Sequence, residues 1–279
     1  MSLRFLISDG YDPRSRANLT GAGMQPAGTL YEQMLLRELP DARADIFFPS
    51  DPGVRLPTGA AVGTYDGILW TGCNATIFHD EPRVHAQIEL SKTAFELGVP
   101  QFGSCWGIQM AAVAAGGTVE KNPRGREMGV GRRIRLTEAG RTHPMTVGRA
   151  EVYQGFESHD DYITRVPPGA VVLAGNDHSP IQAMVVRHGR GEFWGVQYHP
   201  EYDLHEMARL TVARTEKLLR LGFYRTPEEL HHHVEQMEAL YAEPDRKDLR
   251  WQLDIGDEIL DPIVRTHEFS NWIREVVGG

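Results

Sequence analysis

The first half of the chain alternates short β-branched or aromatic runs with helical periodicity, and that alternation leaves few folds open. It predicts parallel strands joined by crossover helices in an open, doubly wound α/β sheet. Strands fit Leu3 to Ser8, Asp45 to Phe48, Gly67 to Thr71 and Val99 to Gly103. A helix is predicted from Thr29, whose spacing to Glu32 is that of a capping box, with Met34, Leu35 and Leu39 on its apolar side. The residues after Pro82 read as an amphipathic helix, and the run WGIQMAAVAA after Cys105 reads as a buried one. Residues 11–28 carry polar, glycine and proline positions with no period, and predict a long functional or mobile loop.

From about Val130 to Tyr198 the pattern turns to strand-like segments separated by turns, and helical signal returns from Leu204 to Leu221. The division expected is a catalytic domain over 1–225 and a helical C-terminal extension over 226–279. Thr226, Pro227 and Glu229 supply an N-cap, a first-turn proline and a capping-box acid, with Leu230, Val234, Met237 and Tyr241 along one side. A second tail helix is predicted after Asp261-Pro262, with Ile263, Phe269, Trp272, Ile273 and Val276 available for burial.

A chain of 279 residues that is 41% hydrophobic can bury a substantial core. Its net charge of -9 disfavours nucleic acid and anionic membrane as partners. The opening MSLRFLISDG lacks a charged segment followed by a long apolar run, and only two cysteines occur, so a cytoplasmic location is expected. No phosphate-cradling or dinucleotide glycine motif is present, so no nucleotide or other cofactor is expected.

The most specific signal is Val99-Pro-Gln-Phe-Gly-Ser-Cys-Trp-Gly107, an apolar strand running through G-x-C-x-G into a helix. A sharp strand-to-helix turn lifts Cys105 to the sheet's carboxyl edge, and glycines at 103 and 107 remove side chains that would collide there. The helix N-terminus behind the sulfur favours the thiolate. Cys73 has no such frame and reads as structural. Near the end of the strand-rich region lies Gly191-Glu-Phe-Trp-Gly-Val-Gln-Tyr-His-Pro-Glu201. Residues two apart on an extended backbone point the same way, so His199 and Glu201 can stand side by side as base and orienter for the thiol.

With both segments in hand, the chain resembles the class I, triad glutamine amidotransferases, whose signatures are G-x-C-x-G-x-Q and Q-[FY]-H-P-E. Here they read GSCWGIQ at 103–109 and QYHPE at 197–201, and the resemblance covers roughly residues 3–222. It implies a flavodoxin-like, mostly parallel open sheet, a Cys105–His199–Glu201 triad, and glutamine or a γ-glutamyl relative as substrate. Gly72-Cys73-Asn74 stands where the family has a glycine-rich loop, so the resemblance places the oxyanion hole at the Gly72 and Trp106 amides. Phe156-Glu-Ser-His-Asp-Asp161 resembles the family's S-H-G-D region, which implies that Gln109, Ser158, His159 and Asp160 hold the amino-acid head group. Asp160 replaces the family's glycine, and a carboxylate there repels an α-carboxylate unless it points away or meets the α-ammonium.

The sequence therefore leaves three competing functions open: a glutaminase passing ammonia to a separate acceptor enzyme, a self-sufficient γ-glutamyl amide hydrolase or transferase, and a non-catalytic binding relative. The intact triad argues against the third. Self-association stays open. No metal is expected: in His231-His232-His233 with Glu235 only the first and last share a helix face, and His178 reads as a surface histidine.

Overall fold

The computed structural model describes residues 2–278. Strands β1 (Arg4–Ser8), β2 (Arg43–Phe47), β3 (Gly67–Trp70), β4 (Gln101–Ser104), β5 (Thr118–Lys121), β6 (Glu127–Leu136), β7 (Val152–His159), β8 (Asp161–Arg165), β9 (Ala170–Gly175), β10 (Ala183–His188) and β11 (Gly191–Val196) form two sheets. The large one has nine strands in the order β2-β1-β3-β4-β11-β10-β9-β6-β7, and β5 pairs with β8 in a small one. Its first five strands run parallel and the remainder pair antiparallel. The expected open α/β sheet is thus present, and β3 and β4 at the middle of its parallel half are buried at every residue, as strands covered on both faces require.

Helices α1 (Pro13–Gly21), α2 (Ala27–Glu38), α3 (Pro82–Leu97), α4 (Trp106–Ala114), α5 (Leu204–Ala213) and α6 (Thr215–Arg220) follow the strands. On one face of the sheet Val84, Phe95, Trp106, Ile108 and Met110 of α3 and α4 pack with Ile68 and Trp70. On the other, Tyr31, Met34 and Leu35 of α2 pack with Phe5, Leu69 and Phe102.

Two local expectations give way. Residues 11–28 are not a loop: α1 starts at Pro13 because Asp12 caps it, its carboxylate accepting from the Ser15 amide at 2.9 Å. Periodicity could not reveal this helix because its one buried residue is Leu19. Helix α2 starts at Ala27 rather than Thr29. Asp9, at the end of β1, accepts from the Gly28 amide at 2.9 Å and from the Tyr11 amide at 3.1 Å, so a carboxylate distant in sequence substitutes for the Thr29 cap.

Residues beyond 225 form α7 (Pro227–Ala242), α8 (Lys247–Leu253), α9 (Asp257–Leu260), α10 (Pro262–Arg265) and α11 (His267–Trp272). Thr226 caps α7 through the Glu229 amide at 3.2 Å, while Glu229 accepts from the Arg225 amide at 2.7 Å, one residue before the Thr226 amide that the expected capping box would engage. Leu230, Val234, Met237 and Leu240 are its buried residues, whereas Tyr241 is exposed. This segment packs into the core rather than beside it. Phe269 and Trp272 are fully buried among Phe5, Phe102 and Leu69, and a Cβ on Gly67 would stand 2.9 Å from Trp272 Cη2. Ile263, expected to be buried with them, is exposed. The buried Arg149–Glu268 ion pair and a 2.7 Å hydrogen bond from Tyr198 Oη to Glu268 tie α11 to the strand region ending at His199. No described helix is long and apolar enough to cross a membrane.

Candidate active site

Cys105 sits between β4 and α4 with φ of 51°, a left-handed backbone that costs a β-substituted residue about 1–3 kcal/mol and persists only where its surroundings enforce it. The surroundings are specific. The Cys105 amide donates to Val196 O at 2.9 Å, pinning the turn to the end of β11. A Cβ on Gly103 would lie 2.9 Å from both Phe193 Cζ and Trp70 Cβ, and one on Gly107 would lie 3.0 Å from Trp70 Cβ and its carbonyl oxygen. Both glycines are therefore the space into which β3, β4 and α4 close.

His199 lies three residues past β11, its amide donating to Phe156 O at 2.8 Å. Its Nδ1 meets Glu201 Oε1 at 2.7 Å in a buried pair. The same Glu201 oxygen accepts from Ser104 Oγ at 3.1 Å, and Ser104 Oγ accepts from Tyr31 Oη at 2.7 Å. Tyr202 stacks on the imidazole at 4.1 Å with the rings 4° from parallel. Carboxylate, hydroxyl and aromatic ring together fix the tautomer and plane of His199, while Nε2 is buried with no partner besides the cysteine it faces. Burial pulls the imidazole pKa down, but the charges of Glu201 and of Cys105 outweigh it and hold it up at about 10. Ser104, Tyr31 and Tyr202 were not singled out in the sequence. Ser104 and Tyr202 adjoin the two motifs, whereas nothing in the sequence marks Tyr31.

A Cβ on Gly72 would lie 2.6 Å from His199 Cε1 and 3.5 Å from Cys105 Cβ, which places this loop directly against the thiol and imidazole. Trp106 is the first residue of α4, so its amide belongs to the set that a helix leaves without an internal acceptor.

Cys105 opens into a cleft of about 550 Å³ that Trp106, Gln109, Ser158, His159 and Asp160 also line. The structure thus gathers the sequence-predicted positions around one opening. Their side chains differ in what remains free. Gln109 spends its amide nitrogen on Asp161 O at 3.0 Å and Gln197 Oε1 at 3.1 Å. Ser158 Oγ accepts from Arg126 Nη2 at 2.6 Å. Asp160, the departure from the family pattern, bridges Arg126 Nη1 and Lys217 Nζ, each at 2.7 Å. Although burial works against its ionisation, these two cations hold its carboxyl below the ordinary range. Its repulsion of an incoming carboxylate is thereby compensated.

His159 faces inward. Its Nδ1 meets Asp161 O at 2.8 Å, and its Nε2 lies 3.2 Å from carboxylate oxygens of both Glu127 and Glu157. Burial opposes its protonation, yet the two carboxylates raise its pKa well above the ordinary histidine value. Glu127, His159 and His178 form the one grouping with metal-ligand spacing among the described residues. Asn176 and Gln182 already donate to Glu127, so hydrogen bonds and ion pairing account for the cluster. His178, read as a surface histidine, is mostly buried and stands 3.2 Å from Glu127. The fold brings it there through a turn whose amides Asn176 accepts.

A cysteine thus stands at a strand-to-helix turn of an open α/β sheet, with an imidazole and a carboxylate delivered beside it by the neighbouring parallel strand. The glutamine amidotransferase class-I model matches residues 61–215, and the chain belongs to that family. It is 39% identical over 246 residues to a γ-glutamyl-L-1-hydroxyisopropylamide hydrolase of a Pseudomonas species, covering 86% of this chain and 81% of that protein. It is 34% identical over 137 residues to the glutamine-hydrolysing GMP synthase of Clostridium novyi, covering 49% of this chain and 24% of the synthase. Its fold is similar to that of a glutamine amidotransferase from Methylobacillus flagellatus, with a TM-score of 0.66 at 21% identity over 98% of this chain and 95% of that one.

Proposed function

We propose that the chain hydrolyses a γ-glutamyl amide by itself, with Cys105 as nucleophile, His199 as proton carrier and Glu201 as orienter. The observation that carries this reading is the unpartnered Nε2 of an imidazole locked by Glu201 and Tyr202 and turned to Cys105. His199, which its raised pKa keeps protonated at neutral pH, holds its proton beside the sulfur as Cys105 attacks the γ-carbonyl carbon, and the amides of Gly72 and Trp106 receive the developing oxyanion. His199 then gives that proton to the departing amine nitrogen as the C–N bond breaks, leaving a cysteinyl thioester. Water then attacks the thioester as the now neutral His199 takes a proton from it, and the C–S bond breaks to release glutamate with the proton back on the imidazole.

Amide hydrolysis with a leaving amine larger than ammonia is supported by the cleft and by the Pseudomonas relative, whose name states such a reaction. A second reading, glutamine hydrolysis that supplies ammonia to an acceptor enzyme, is supported by the similarity to GMP synthases, about a quarter of whose length this chain spans. Glutamate release by the purified chain from glutamine and from γ-glutamyl alkylamides separates the two. Efficient alkylamide turnover without a partner supports the first. Glutamine turnover that appears only with an added acceptor enzyme supports the second. Cys105→Ala should abolish covalent capture of a glutamine-like electrophile, and capture that persisted would remove Cys105 from the mechanism.

A further inference from the structure

The cleft at Cys105 does not end at the site. It shares Asn74, Arg214, Lys217 and Arg220 with a second groove of about 1140 Å³ that runs between α1 and the α5–α6 segment. The wall common to both spaces is cationic. Five Lys and Arg side chains face two carboxylates around the Cys105 cleft, on a chain whose net charge is -9. Two of those cations, Arg126 and Lys217, are spent on Asp160. Arg214 and Arg220 engage no carboxylate among the described residues, and both stand where the cleft passes into the groove.

The amino-acid head group of a γ-glutamyl compound is a zwitterion, so it gives no reason for a surplus of positive charge. The surplus calls for a further anion. Clustered cations in a concave site raise the local concentration of such a group and hold it by charge-assisted hydrogen bonds.

We propose that the amine released by this protein itself carries an acidic group, held by Arg214 and Arg220 where the cleft opens into the groove. The substrates are then γ-glutamyl amino acids or related amides with an anionic amine half. This rests on the hydrolase reading above, and it differs from the neutral amino alcohol in the name of the Pseudomonas relative.

The test compares γ-glutamylglycine, whose amine half is anionic, with γ-glutamylethylamide, whose amine half is neutral, using the full chain and the double variant R214Q/R220Q. The native protein is expected to favour the glycine compound in kcat/KM by about 10- to 100-fold, the range of one or two charge-assisted hydrogen bonds. The double variant should lose that preference while its turnover of the ethylamide stays within about twofold, which also shows that it has folded. Added salt should weaken the preference in the native protein only. Equal efficiencies, a preference for the ethylamide, or equal losses on both compounds in the double variant would overturn the proposal alone. Turnover of neither amide would overturn the hydrolase reading together with it.

Discussion

Ser104 and His199 hydrogen-bond the same oxygen of Glu201, at 3.1 Å and 2.7 Å, although Ser104 ends β4 and lies 97 residues before Glu201. The residue immediately before the proposed nucleophile thus holds the carboxylate that orients the proposed base. Ser104→Ala should lower kcat by about tenfold with KM little changed, since one hydrogen bond to a charged group is lost away from the substrate. Glu201→Gln should cost about 10²- to 10⁴-fold in kcat, because an amide can present the wrong hydrogen-bonding partner to Nδ1. Steady-state kinetics on a γ-glutamyl amide would check both, and equal activity of the two variants would refute the ordering.

Gly72→Ala tests the crowding over the imidazole. The added methyl would sit 2.6 Å from His199 Cε1, and the ring is held by Glu201 and stacked on Tyr202. The ring must shift, and a displacement of about 1 Å at a reacting centre can cost about 10²-fold. A kcat reduced by that order, with an unchanged circular dichroism spectrum, is the outcome expected.

The raised pKa of His199 sets a direction for stability against pH. Its folded value of about 10 exceeds its ordinary 6.5, so the protonated ring stabilises the fold fully below 6.5, and this contribution is lost as pH rises through 10. The melting temperature of the native protein should therefore fall between pH 7 and pH 10 more steeply than that of His199→Gln. Parallel curves for the two proteins would contradict the assignment.

Trp272→Ala should destabilise the protein by about 3–5 kcal/mol, the range for deleting a large buried aromatic side chain. Trp272 is fully buried and contacts Phe5, Phe102 and Phe269 rings at centroid distances of 6.2, 5.8 and 5.8 Å. A shift in the urea midpoint measures it. A near-native midpoint would mean that the tail leaves the core at little cost.

The parallel strands were legible because fully buried strands read as short apolar runs, as Phe5 to Ile7 in β1 and Ile68 to Trp70 in β3 do. Cys105 and His199 were legible because a crowded turn and a strand end impose residue types at fixed spacing. Helix α1 was hidden by its single buried residue. The inward role of His159 and the arrival of His178 beside it depend on Glu127 and Glu157, which lie on the antiparallel β6 and β7 and share no sequence window with His178. The tail's place in the core escaped the sequence for a similar reason. Phe269 and Trp272 announce that they need burial, but only the open space above Gly67 says where.

That last placement constrains how the chain is made. During synthesis the strands at the centre of the sheet leave the ribosome long before residue 272, and domains otherwise begin to organise from their N-terminal side. One flank of Phe5, Leu69 and Phe102 must wait, greasy and uncovered, until α11 arrives. Translation pauses shortly before residue 272, or a chaperone that shelters that flank, should therefore govern how much active protein a cell recovers.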